Sequence, residues 1–453
     1  MNTRLFIPAL VATLALFAGC RPGPKPDTTR VPPPKSDTHP HAHDQLTGEE
    51  RLDAKRGPRA DAVRAEPDLR IRIARALDQT MLTSSGSVRV GPGRRDLGKA
   101  RDYTFQTPLR IHHDKQGFVL TEPSGKSVRW RLASLSIHAN AGGVGIDGQT
   151  YPGELELVAQ RSDPHPFTGR FDAVNHVGME SYLPGVLSKE LYASWDTRAY
   201  RAQAIAARSY AIWEMNLPMR KASHFDLEAS QASQAYTANA SDKAKAAVAD
   251  TAGQVLVFEH RVLPAFYSSC SGGTGQDAVA AWPGKVDDLA PLRGREHGMW
   301  GQASTKFRWG PIERDRAALS KRIAAWGKVN KHAVASLGTI ARVEVAGRNR
   351  VGRPTTMRIS DTAGRSFDLA CEDLRMASNY RAPGLPTVDM NNLVYSSHAE
   401  YAVSADTVSI TGRGFGHGVG MCQFGAQHMA SEGHDHNAIL GFYYPGAEVR
   451  KVY

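Results

Sequence analysis

The stretch Tyr182-Leu183-Pro184-Gly185-Val186-Leu187-Ser188-Lys189-Glu190-Leu191, then Trp195, then Ala202-Gln203-Ala204-Ile205-Ala206-Ala207-Arg208-Ser209-Tyr210-Ala211, decides how this chain is read. Apolar and polar residues mix here at helical spacing, which predicts a first helix over 179–192 with Pro184 near its start. Asp196 is a helix-capping residue type, so a second helix is expected from Thr197 to Met215. Within it Ala199, Ala202, Ala206, Tyr210 and Trp213 recur at three or four residues and form one packed stripe. Small alanines on that stripe admit a close neighbour.

Outward from this centre the pattern changes. Leu69-Arg70-Ile71-Arg72-Ile73 alternates apolar and charged residues, the period of a half-buried strand. Further short strands are expected at 87–90, 109–112, 117–121, 128–132, 155–159 and 171–177, punctuated by Gly and Pro. On the other side come a helix at Asp242–Asp250, strands at Gln254–Phe258 and 262–268, and a helix at 317–326. Strands follow at 340–345, 355–359, 366–369 and 407–411. The fold class is α+β, with β-rich flanking regions around a central helical segment that carries Glu190. Residues 65–178 form the N-terminal β-rich part and 179–453 the core that bears the chemistry.

The first 64 residues read differently. Arg4 precedes an apolar run, Leu5 to Ala18, which is too short to span a membrane and reads as an export signal. Leu16-Phe17-Ala18-Gly19-Cys20 resembles a bacterial lipobox, so residues 1–19 are expected to be a lipoprotein signal peptide. A diacylglyceryl thioether would then sit on Cys20. Arg21 follows, where Asp would argue for retention at an inner membrane; the inner leaflet of an outer membrane, facing the periplasm, is the expected address. Residues 20–64 are rich in Pro and charge and are expected to be a flexible tether.

Across 453 residues the formal net charge is +11. Such a charge attracts polyanions, but no nucleic-acid-binding motif is present; anionic wall polymer or lipid headgroups are the partners that fit an exported chain. Beyond Cys20 there are Cys270, Cys371 and Cys422, so at most one internal disulfide can form.

Three segments carry candidate chemistry. Glu190 lies among Val186, Leu187, Leu191 and Trp195. Apolar surroundings disfavour the charged carboxylate, and a Glu that keeps its proton can donate it to a leaving oxygen. A surface Glu paired with Lys189 or an Arg is the competing reading. Arg201 and Arg208, seven residues apart, share a helix face. The second segment, Tyr267-Ser268-Ser269-Cys270-Ser271-Gly272-Gly273-Thr274, is a tight polar loop without the Gly-x-Ser-x-Gly elbow of serine hydrolases. In the third, Gly412-Arg413-Gly414-Phe415-Gly416-His417-Gly418-Val419-Gly420-Met421-Cys422-Gln423-Phe424-Gly425-Ala426, the glycines allow close backbone approach to a ligand. No Gly-Lys-Ser/Thr closes it, so it is not a phosphate loop.

Together, in this order, the three segments resemble the SpoIID/LytB (stage II sporulation protein D) family. Gln234-Ala235-Tyr236 and Ile439-Leu440-Gly441-Phe442-Tyr443-Tyr444-Pro445-Gly446 add to the resemblance, which runs from about Leu69 to Tyr453. It implies a lytic transglycosylase acting on peptidoglycan glycan strands, with Glu190 as the catalytic residue. The substrate-binding set it implies is Arg201, Gln203, Arg208, Ser209, Tyr267, Ser269, His417 and Gln423. If both loops line one cleft, Cys270 and Cys422 approach each other. A disulfide or free thiols are expected there ahead of a zinc ion shared with His417, and no cofactor is otherwise expected. The same resemblance includes amidase enhancers, so a glycan-binding module that stimulates a wall amidase is the alternative. A muramidase with a second carboxylate, from Asp226 or Glu228, is the third reading.

Overall fold

Along Asp68–Leu77 the alternation works as read: Leu69 and Ile71 have no exposed surface, while Arg70 and Arg72 turn to the other side and meet acids. Arg70 pairs with Asp226 at 2.7 Å, and Arg72 pairs with Asp172 and Glu228. The structure, a computed structural model, describes residues 53–453 except 100, 140, 141, 147, 162–166, 231 and 232. Cys20, with the lipid anchor expected on it, and the expected signal peptide over residues 1–19 lie outside the described residues.

Asp68–Leu77 belongs to a seven-stranded sheet ordered Leu227–Glu228, Asp68–Leu77, Phe171–Gly178, Glu154–Ala159, Ser134–Ala139, Ser87–Pro92 and Tyr103–Gln106. A six-stranded sheet built around Gln79–Thr83, Leu109–Asp114 and Gly117–Thr121 accompanies it. Leu82, Ile111, Phe118 and Leu120 from this second sheet and Ile71, Val88 and Ile137 from the first share one apolar core. That core continues past residue 178 into the helices. Leu183, Val186 and Leu187 of helix Met179–Glu190 enter it, as do Ala204, Ala207 and Ala211 of helix Thr197–Met215. The Asp196 side chain accepts from Arg198 N–H, as a cap should. Gly185 is required by packing: a Cβ there would lie 2.1 Å from the Thr237 carbonyl oxygen.

The expected strand over 262–268 is broken. Arg261–Val262 and Tyr267–Ser268 are separate strands, with a backbone turn from Phe266 N–H to Pro264 O between them. Tyr267–Ser268 pairs in parallel with Met421–Cys422. Between these two partners the chain makes a long excursion with its own core. Trp309, Leu319, Ile323, Trp326, Ile340, Ile359, Leu374, Val408 and Ile410 belong to that core alone. Two three-stranded sheets and helices Arg316–Val329 and Cys371–Asn379 build it. The end of the Gly-rich segment is not loop either, since Gln423–Ser431 is a helix capped by the Cys422 side chain.

The last part of the expected tether, residues 53–64, is docked rather than free. Val262 N–H donates to Pro58 O, Trp213 Nε1 to Ala54 O, and Arg56 pairs with Asp287. Among the described residues no helix is long and apolar enough to cross a membrane.

Candidate active site

Helix Met179–Glu190 ends at Glu190, and the chain there turns extended at Leu191. This places the carboxylate at the edge of the apolar core rather than in solvent. It opens into a cavity of about 520 Å³ lined by Glu190, Tyr192, Trp195, Tyr267, Ser269 and Gln423, among others. Ala235 N–H donates to Glu190 Oε1 at 3.1 Å, and Gln423 Nε2 donates to Oε2 at 3.3 Å. Burial raises the Glu190 pKa above the ordinary carboxyl value, and these two hydrogen bonds only partly offset it. Gln423 carries both a donor and an acceptor, so a rotated amide can also hold the protonated acid.

Behind Glu190 lies a fixed polar network. Gln234 accepts from Tyr182 Oη at 3.1 Å and donates to Tyr267 Oη at 3.0 Å and to Ala207 O at 3.1 Å. Both tyrosines are held well above their usual pKa by burial and stay neutral.

The two loops meet because residues far apart in sequence pair directly. Cys270 N–H donates to Phe415 O and Phe415 N–H donates to Cys270 O, at 3.1 and 2.7 Å. Arg353, from the excursion, fastens them with no exposed surface of its own. Its guanidinium donates to Ser271 O, Thr274 O, His417 O and Ser397 Oγ. Gly418, at φ +76, leaves the space for it: a Cβ would lie 2.4 Å from Arg353 Nη1.

Tyr267, Ser269, His417 and Gln423 line the cavity together with Glu190. His417 is less available than its position implies. Its Nδ1 accepts from Val419 N–H at 3.0 Å, and burial lowers its pKa to about 4. Arg201, Gln203, Arg208 and Ser209 do not reach the cleft. Arg201 pairs with Asp250 at 2.6 Å, and Arg208 is wholly buried in a two-toothed pair with Glu180. Ser209 Oγ donates to Ile205 O and accepts from Leu256 N–H, and Gln203 is buried. Arg201 and Arg208 share a helix face, and it packs toward helix Asp242–Asp250 and strand Gln254–Phe258. Asp226 and Glu228 are also elsewhere, held by Arg70 and Arg72.

Cys270 and Cys422 lie side by side as buried free thiols beneath the cavity, not joined by a disulfide. Ser271 and Gly425 N–H groups donate to Cys422 Sγ, and the Cys270 thiol lowers the Cys422 pKa while its own rises. His417 Nδ1 is committed to Val419, and among the described residues no three His, Cys, Asp or Glu side chains converge as ligands.

Sequence reasoning missed two contributions. Tyr192, Trp195 and Phe424 form an aromatic cluster at the cavity wall, with ring centroids 5.1 to 5.9 Å apart. Tyr192 is 60% exposed and stands at the outer edge of this cluster. Arg375 of helix Cys371–Asn379 also lines the cavity, though no motif surrounds it.

Known proteins place this geometry. The family model "Stage II sporulation protein" (SpoIID) matches residues 168–258, which hold Glu190 and both central helices. A second model, "Domain of unknown function (DUF8618)", matches residues 289–420, nearly the span of the excursion. The chain is 26% identical over 295 residues to stage II sporulation protein D of Bacillus subtilis, covering 62% of this chain and 76% of that one. It is 27% identical over 286 residues to the amidase enhancer of the same organism, covering 58% of this chain but only 39% of the relative. An uncharacterised protein of Brachyspira hyodysenteriae is 27% identical over 315 residues, 68% of this chain and 74% of its own. Residues 168–258 thus carry a SpoIID domain, and the chain as a whole is similar to stage II sporulation protein D and to an amidase enhancer.

Proposed function

We propose that the protein is a peptidoglycan lytic transglycosylase with Glu190 as its single acid/base. One observation carries this reading: among the described residues, Glu190 is the only carboxylate lining the cavity. Glycosidases that use water ordinarily need two carboxylates across the bond. A transglycosylase needs one, used twice. Glu190 gives its proton to the oxygen linking N-acetylmuramic acid to N-acetylglucosamine. The C1–O bond breaks with its electron pair leaving on that oxygen. The C6 hydroxyl of the same muramic acid bonds to C1 and returns its proton to Glu190. The product ends in a 1,6-anhydro sugar, and the acid is regenerated.

The remaining residues fit roles around that step. Ala235 N–H and Gln423 hold the carboxylate, Tyr267 and Gln234 brace its wall, and the Tyr192 face offers a stacking surface. Attachment to the cell envelope through Cys20 completes the proposal. A second reading, a glycan-binding module that enhances an amidase, rests on the relative of that name. Purified protein incubated with glycan strands separates the two. Fragments with 1,6-anhydro ends by mass spectrometry, absent with Glu190→Gln, are the expected outcome. Reducing ends would point to hydrolysis, and bound but uncut strands to the enhancer.

A further inference from the structure

Arg375 comes from outside the SpoIID domain, on the helix Cys371–Asn379 of the excursion, yet its side chain lines the same cavity as Glu190. Its Nε and Nη2 are held by the buried Glu372 carboxylate, the Nε bond being 3.0 Å, which fixes the guanidinium plane. Its Nη1 has no hydrogen-bond partner among the described residues. A guanidinium so clamped presents its remaining N–H groups at little entropic cost.

Glu372 does not leave the region neutral. Arg353 lies buried beneath the same loops, and its partners are carbonyls and a hydroxyl rather than an acid. Lys189 stands on the cavity wall, and Glu190 is the only carboxylate facing it among the described residues. Two arginines and a lysine against Glu372 leave the site positive when Glu190 carries its proton. Glu190 itself is governed by burial, Gln423 and Ala235, not by Arg375, so the cation serves another part of the ligand.

We propose that Arg375 is a carboxylate-binding, specificity-determining residue, and that its Nη1 edge takes the carboxylate of a muramyl residue bound in the Glu190 cavity. This rests on the reading of the substrate as a glycan strand. Two sources share that chemistry: the free lactyl group of a peptide-free muramyl sugar, and the carboxylates of a stem peptide.

The test is calorimetric binding to Glu190→Gln protein, which holds strands without cutting them. Three oligosaccharides are compared: one with free lactyl carboxylates, one with those groups converted to neutral methylamides, and one with stem peptides. A charged hydrogen bond is worth a factor of about ten to a hundred in affinity. The free acid is therefore expected to bind at least about tenfold tighter than the methylamide, and Arg375→Gln added to the same background should erase the difference. Arg375→Lys should retain part of it and covers the case in which loss of the Glu372 partner unfolds the helix. Discrimination by the peptide-bearing strand alone would assign the carboxylate to the peptide. Equal affinity for all three oligosaccharides, unchanged by Arg375→Gln, would overturn the proposal. Carboxylate discrimination without any 1,6-anhydro product from the active protein would sink the transglycosylase reading and leave this one standing.

Discussion

Replacing Glu190 by Gln should make the protein more stable and inactive, and the gain should depend on pH in one direction. Gln has the same shape and keeps an oxygen for the Ala235 N–H, now 3.1 Å from Oε1. Its amide can pair with Gln423 after one of the two amides rotates, so the local hydrogen bonding survives. What disappears is a carboxyl whose proton is held more tightly in the folded chain than in the unfolded one, because burial penalises the charge. Below about pH 4 the group is neutral in both states, and variant and wild type should melt together. As pH rises, the unfolded carboxyl ionises first and wild type loses ground. The loss is about 1.4 kcal/mol for each unit between the folded and unfolded values, and stops growing once folded Glu190 has ionised. One kcal/mol corresponds to roughly 2–4 °C for a cooperative unit of 150–250 residues. Scanning calorimetry of both proteins from about pH 4 to about pH 8 reads it directly. Turnover, by contrast, should fall by a factor of about 10² to 10⁴ for loss of a general acid. A difference in Tm that is flat with pH, or that grows in favour of wild type, would refute the argument that burial governs this carboxyl.

Activity itself should decline on the alkaline side along a limb set above the ordinary glutamic acid value, since only protonated Glu190 can donate; a kcat/KM profile on glycan strands shows where that limb lies. Arg208→Gln removes one partner of a buried ion pair with Glu180 and should cost about 3 kcal/mol in urea unfolding while leaving strand affinity per folded molecule intact. Tyr192→Ala, at an exposed ring, should weaken strand binding by about 1 kcal/mol with Tm unchanged, as titration and thermal melting will show. Gly185→Ala would push a methyl against the Thr237 carbonyl and should lower stability by about 1–3 kcal/mol, read as a reduced urea midpoint.

What the sequence revealed was local. Asp196 and the alanine stripe define Thr197–Met215 because capping and periodicity act within a few residues. The same periodicity says that Arg201 and Arg208 share a face but not what that face meets, and it meets Asp250 and Glu180 rather than a ligand. The helix Gln423–Ser431 was hidden inside glycine-rich sequence because its cap is a cysteine, not one of the usual Ser, Thr, Asp or Asn. Arg375 had no signal at all: it faces Glu190's cavity only because a separate core, from Trp309 to Ile410, folds against the two loops. Asp226 looked free in sequence and is held by Arg70, a partner that strand pairing brings from far away.

The parallel pair Tyr267–Ser268 and Met421–Cys422 brings the departure and the return of a long insertion to one point. Closing a loop costs free energy that grows only with the logarithm of its length, about 0.6 kcal/mol for each doubling. The frame that holds Glu190 is therefore almost indifferent to how much chain hangs from this doorway. Segments of very different size can be hung there at nearly equal thermodynamic cost, provided that both ends re-enter side by side. Descendants of such a frame are free to change what lines the cavity by exchanging the insertion, while Glu190 stays where it is.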